Sequence, residues 1–326
     1  MMSVAVTTWR TACLSGLQAA LLAFSALPAR ATDTPFKIVG PAAGADFRTV
    51  QEAIDAVPAD NREQKIIQLQ PGLYFGHTVL NKPFVTLRGS GPGSVLSYNL
   101  GQAMPGEDNR PVGWTGAATL HVTGAAHDTV IENLTLENTY GKGMQAQALS
   151  VEADRVVFRR CRILGWQDTI KLDRGRQWLV ECYISGHVDF IYGGATAYFE
   201  RCEIFCRDQG YIVAPATPAG KTGFVFFECR VTFPYGNPLT YLGRPWKESS
   251  SAVFIRCELG QGVRPEGWRE WNVKPPLIRF AEYESTGPGA VTAGRVDWAV
   301  HSAGPAPEQF SRAAVLGDWQ PFVSSP

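Results

Sequence analysis

The chain has 326 residues, 45 % of them hydrophobic, and its 30 Lys and Arg balance 30 Asp and Glu. That is apolar enough for one large core. A formal charge of zero supplies no basic face for nucleic acid or an anionic membrane, so a neutral or modestly charged polymer, or a small molecule, fits better.

Residues 1–31 read as a secretory signal peptide. Arg10 gives the positive start, the apolar run over 13–27 carries Leu14, Leu17, Leu21, Leu22 and Phe24, and Ala29-Arg30-Ala31 has the small-x-small cleavage pattern. The run falls short of the ~20 residues needed to cross a bilayer. A mature chain is expected from near Thr32, exported to the periplasm or the medium, with a single domain over 32–326.

A short strand at Phe36-Lys37-Ile38-Val39 precedes a helix. Thr49 and Glu52 make a capping box, Val50, Ala53, Ile54 and Val57 share one face, and Pro58 ends it. Strand-like segments follow at 66–70 and 84–89. The polar, Gly-rich loop from Asn99 to Ala118, with Trp114, is too long for an ordinary turn and is expected to wall a groove.

From residue 129 a repeat takes over. Cys161-Arg162-Ile163-Leu164-Gly165-Trp166-Gln167-Asp168-Thr169-Ile170 lies in phase with Cys182-Tyr183-Ile184-Ser185-Gly186-His187-Val188-Asp189-Phe190-Ile191. Each copy follows a β-branched and aromatic run, and further such runs end at Cys202, Cys229 and Cys257; Asn133 takes the cysteine position in the copy before them. One strand about every 20 to 28 residues, with little helical periodicity between, predicts an all-β solenoid, a parallel β-helix whose open N-terminal end the short helix plugs. Such a solenoid is expected to be monomeric. The tail from Ser302 is expected to pack through Phe310, Leu316 and Trp319.

Six cysteines remain after the leader. Those in register fit either disulfides between coils, which export permits, or a ladder of small buried thiols. No Cys/His cluster has zinc spacing, so neither metal nor cofactor is expected.

The in-phase aspartates are the candidate site. Successive coils lie about 4.8 Å apart, so Asp168 and Asp189 are expected side by side, which is costly unless one is protonated or a cation intervenes. An ionised and a protonated carboxyl together supply a nucleophile and a general acid. Arg244, held between Gly243 and Pro245, offers a bidentate fork to one of them. Gln167 beside Asp168, and Gln145 one turn earlier, offer amides to an oxyanion. Trp246 and Trp166 suit sugar faces or the core. His187 shares a strand face with Asp189 and reads as a groove-wall residue rather than its partner. There is no GxSxG elbow for a serine hydrolase.

Gly165-Trp166-Gln167-Asp168-Thr169, Gly186-His187-Val188-Asp189-Phe190-Ile191-Tyr192-Gly193 and Leu242-Gly243-Arg244-Pro245-Trp246 resemble the signature motifs of pectin methylesterases of bacterial type, in the pectin lyase-like superfamily. The likeness continues from Asp46 through Gly267-Trp268-Arg269-Glu270-Trp271 to Trp319-Gln320-Pro321. It implies a right-handed parallel β-helix that hydrolyses methyl esters of polygalacturonate to pectate and methanol without a metal. It also implies that Asp189 is the nucleophile, Asp168 the acid and then the base, Gln145 and Gln167 the oxyanion donors, and Arg244 the residue fixing Asp189. Arg244, Trp246, Trp166 and Phe190 are expected at the substrate. Two departures bear on substrate preference: Gly72-Leu73-Tyr74-Phe75-Gly76 lacks the family's usual Glu, and Gln147 stands where an apolar residue is usual. Other readings on the same scaffold are a carboxylesterase or acyl thioesterase, a lyase, a glycosidase, and a non-catalytic carbohydrate-binding protein.

Overall fold

Runs of alternating apolar residues too short to stand alone gain stability by stacking on copies of themselves, and that is how this chain folds. The computed structural model describes residues 34–236, 238–271 and 277–321, so the expected leader lies outside them. Eleven strands, from Lys37–Val39 to Val300–Ser302, form one parallel sheet in sequence order. A second parallel sheet receives the chain after each corner, and its strands Arg162–Leu164, Ile170–Leu172 and Tyr183–Gly193 carry the motif region. The result is the expected parallel β-helix. Coil positions repeat so closely that Phe199, Phe226 and Phe254 stack ring on ring, with centroids 4.3 and 4.4 Å apart. Each such pair adds about 0.5–1.5 kcal/mol beyond its area.

The helix Val50–Asp55 forms as its capping box dictates: Thr49 accepts from the Glu52 amide, and Glu52 accepts from the Thr49 amide at 3.0 Å. Its apolar face joins the first coils of the core. The tail does pack through Leu316, Phe310 and Trp319, against the outer face of the first sheet around Trp178 and Tyr198.

One alignment is corrected. Thr129–Glu132 pairs with Val156–Arg159, so Asn133 falls opposite Arg160 and Leu134 takes the place in line with Cys161. The shifted residue is the corner between sheets. Asn133, Arg160, Glu181, Arg201, Glu228, Arg256 and Glu284 all turn it with φ between 49° and 55°. A left-handed non-glycine residue costs about 1–2 kcal/mol. The geometry is offset because each corner amide is satisfied by the following coil, as in Arg160 N to Val180 O at 3.0 Å. Charges alternate in sign from Arg160 onward, and Arg256 pairs with Glu228 at 2.9 Å.

Just after each corner the thiol ladder forms. Cys161, Cys182, Cys202, Cys229 and Cys257 are in register, free and at most 2 % exposed. Each Sγ donates to a carbonyl one coil back, as Cys202 does to Leu179 O at 3.3 Å. Cys206, also free, is buried elsewhere in the core. Burial pushes the thiols of Cys182, Cys202, Cys206 and Cys229 up, away from the reactive thiolate. In the folded protein a thiol reagent is therefore expected to leave the six cysteines from Cys161 to Cys257 unmodified over minutes, and to titrate all of these six once the chain is denatured without reductant. A shortfall in the denatured count would show that bridges form instead.

Candidate active site

Two glycines in phase, Gly165 and Gly186, begin the bend that presents the aspartates. A Cβ on Gly186 would lie 2.2 Å from the Phe190 Cβ, and one on Gly165 would lie 2.6 Å from the Thr169 Oγ1. In both coils the side chain four residues on folds back into the space the glycine leaves. Phe190 is thereby drawn wholly into the core, with no exposure. The substrate contact expected of Phe190 is corrected: its ring supports the bend from beneath.

The bend places Asp168 and Asp189 at matching points of adjacent coils, since Ile170 pairs with Ile191 and the Asp168 amide donates to Val188 O at 3.1 Å. Both aspartates are left-handed, with φ of 62° and 49°. Asp tolerates this conformation better than bulkier residues do, and strain of this kind clusters at functional positions.

Arg244 follows the strand Thr240–Gly243 and reaches Asp189 with both prongs, Nε to Oδ1 at 2.9 Å and Nη2 to Oδ2 at 2.5 Å. Its guanidinium lies between two rings, 4.0 Å from the Tyr211 centroid and 3.9 Å from that of Trp271. The fork is fixed before any ligand arrives.

These groups open into a cleft of about 420 Å³. Gln145, Gln167 and Trp246 also line it, while Gln102 and Trp114 bring the long loop to its wall as expected. Trp166 is not among the lining residues; it stands edge-on to His187, with Arg207 and Lys142 over its ring. Sequence reasoning gave no role to Lys171 or Tyr192. Lys171 is 5 % exposed, lies over the Trp114 ring and pairs with Asp173 at 3.0 Å. Tyr192 is 6 % exposed and stands edge-on to Trp246, centroids 5.9 Å apart.

Electrostatics separate the two carboxyls. Burial, and then the neighbouring charge of Asp189, push Asp168 up to about 8, against the pull of Arg244, Tyr192 and Lys171. Burial raises Asp189 as well, but the two hydrogen bonds and the charge of Arg244 oppose it. Asp189 is therefore the member of the pair that ionises first. Burial thus favours the proton on Asp168, while the Arg244 fork favours the carboxylate on Asp189, the division of labour that paired acids need.

A family model described as pectinesterase matches residues 37–316. The chain belongs to the pectinesterase family. It is 37 % identical over 263 residues to pectinesterase 31 of Arabidopsis thaliana, covering 78 % of this chain and 83 % of that protein. Against pectinesterase/pectinesterase inhibitor U1 of Solanum lycopersicum it is 32 % identical and spans 48 % of that protein's length. Among solved structures of the family, the pectin methylesterase from carrot superposes with a TM-score of 0.79 at 26 % identity, over 88 % of this chain and 95 % of that one. That from Yersinia enterocolitica gives 0.74 at 26 % identity, over 84 % and 99 %. Pectinesterases of plants and bacteria are both matched, so the family is set and a bacterial type is not singled out.

Proposed function

We infer that this chain removes methyl groups from pectin by acyl transfer through Asp189, releasing methanol and leaving the galacturonate chain uncut. The observation that carries the reading is Asp189, clamped by both prongs of Arg244 and sharing its cleft with the buried Asp168, in a pectinesterase-family fold.

Asp189 attacks the ester carbonyl carbon, and the oxygen that gains charge accepts N–H from Gln145 and Gln167. When the intermediate collapses, the bond to the methoxy oxygen breaks and Asp168 gives its proton to departing methanol. The acyl group is then an anhydride on Asp189. Water attacks it, Asp168 takes one proton from that water, and Asp189 leaves as a carboxylate. The product acid ionises on release. Trp246 at the cleft edge suits the face of a sugar ring. Cation–π contacts hold Arg244 in place, so that it orients Asp189 rather than binding substrate by moving. No helix among the described residues is long and apolar enough to cross a membrane. The N-terminal pattern of the sequence supports export towards a polymeric substrate.

Methanol release from highly methylated pectin tests this, with reducing ends and unsaturated products followed in parallel. Methanol with the chain intact is the expected result, and no methanol from folded protein would overturn it. The pH profile of kcat/KM is expected to be a bell. Its acid side follows Asp189, which must be ionised, and its alkaline side falls near pH 8, where Asp168 loses the proton it has to donate. A rate that keeps rising past pH 9 would remove Asp168 from that role.

A further inference from the structure

Trp166 is a motif residue that the mechanism above does not use. It stands two residues before Asp168, at the bend where the ladder between neighbouring coils is broken. Gly165 N donates to Ser185 O at 3.2 Å, and an unbroken parallel ladder would next send His187 N to Gly165 O. His187 N goes to Trp166 O instead, at 3.0 Å, and regular pairing resumes with Asp168 N to Val188 O at 3.1 Å. The carbonyl of the buried Gly165 is passed over. A side chain fills the gap: Arg207 Nη1 donates to Gly165 O at 2.9 Å.

Arg207 comes from the strand Glu203–Pro215, two coils further on, and a bulge aims it. Gly186 pairs with Cys206 and Val188 with Tyr211, so His187 alone faces the run from Arg207 to Gly210. Bulges bend a strand and re-aim its side chains, and they recur beside active sites. The guanidinium reaches back past His187, which stands edge-on to Trp166, and lies 4.6 Å from the Trp166 ring centroid. It thus holds two successive residues, Gly165 by a charge-assisted hydrogen bond and Trp166 by its ring. We propose that Arg207 is a positioning residue: through Gly165 O and the Trp166 ring it fixes the bend whose next two residues are Gln167 and Asp168.

The bend needs such a hold. Asp168 is left-handed at φ 62°, a conformation that persists only where the surroundings over-determine it. The amide of Gln167 and the carboxyl of Asp168 must also meet the same ester, and displacing either by about 1 Å costs on the order of 10²-fold in rate. Without Arg207 the Gly165 carbonyl loses its donor and draws water into the break in the ladder, which loosens it. Lys142 provides a contrast. It also lies against the Trp166 ring, at 5.2 Å, but it is half-exposed and its ammonium bonds to Asp208 rather than to the bend.

The inference rests on the esterase reading for its purpose, but one arm of its test is independent of activity. Arg207→Gln ends its amide nitrogen two bonds short of Nη1, whereas Arg207→Lys keeps a charged donor one bond short. In Arg207→Gln, hydrogen exchange at the Asp168 and His187 amides is expected to speed up about tenfold, while amides of the first sheet keep their rates. On highly methylated pectin its kcat falls about tenfold with KM within about twofold, and Arg207→Lys recovers kcat to within about threefold of the unaltered protein. Lys142→Gln leaves kcat and KM within about twofold. Exchange or kcat unmoved in Arg207→Gln would overturn the proposal. A raised KM with kcat kept would also overturn it, making Arg207 a contact for the acidic polymer. An equal loss in Lys142→Gln would do the same, assigning the effect to the cations on the ring. Thermal melts confirm folding, and should Arg207→Gln fail to fold, Arg207→Met carries the same test. If the unaltered protein releases no methanol, the esterase reading falls, and amide exchange alone decides whether Arg207 holds the bend.

Discussion

Asp189→Asn is expected to lower methanol release by about 10⁴-fold or more, with the protein folded and pectin still bound. The size follows from what is left. Asn keeps the shape of the side chain, tolerates the left-handed bend at φ 49° and still offers one oxygen to Arg244. It has no carboxylate to attack the ester, so the acyl-enzyme cannot form. Gln145 and Gln167 remain to polarise a carbonyl, and such a remnant sustains only slow attack by water. Asp189→Ala adds backbone strain at the same bend, so Asn is the cleaner comparison. The assay is methanol release at saturating pectin, with substrate binding and thermal melting measured on the same preparation. Residual activity within about tenfold of the unaltered protein would mean that another group attacks the ester.

The features legible in the sequence are those that repeat. The in-phase alignment of Asp168 and Asp189 needs nothing beyond the count of residues per coil, and the structure places them at matching points of neighbouring coils. The capping box around Thr49 and Glu52 is local, and so is the length of the loop that walls the cleft. The misplaced residues sit at corners. Asn133 reads in line with the cysteines because both follow a strand, and the sequence alone does not mark the one-residue bend that shifts the register. Phe190 lies beside a catalytic candidate in sequence, but the space above Gly186 turns its ring into the core. Gln147 and Tyr192 are illegible for another reason. They meet at 2.8 Å although 45 residues separate them, and a glutamine between alanines carries no local sign that it will be fully buried. Tyr211 and Trp271 flank Arg244 from two further coils, a stack that only the superposition of coils creates.

Arg244→Ala is expected to move the activity bell to higher pH and to lower its height, with kcat/KM at pH 7 lower by about 10³-fold. With the fork gone, the burial of Asp189 is opposed only by the charge of His187, and its carboxyl is held protonated to higher pH. The acid side of the profile therefore moves up, and the alkaline side moves up with it, because Arg244 no longer lowers Asp168. The loss of height remains at every pH, because the nucleophile has also lost the two bonds that orient it. Arg244→Lys recovers little, because a single ammonium cannot make both bonds or fill the slot between Tyr211 and Trp271. Stability follows the same group. In the variant the folded Asp189 binds its proton more tightly than the unfolded chain does, so the native state carries more protons and stability falls as pH rises from the unfolded value towards the folded one. The stability lost relative to the unaltered protein is expected to grow as pH rises above the unfolded carboxyl value, reaching about 3–5 kcal/mol where Asp189 is forced to ionise unpaired. Profiles of kcat/KM and melts over this range decide the matter. An acid side that stays where it is in the unaltered protein would show that Arg244 does not control the charge of Asp189.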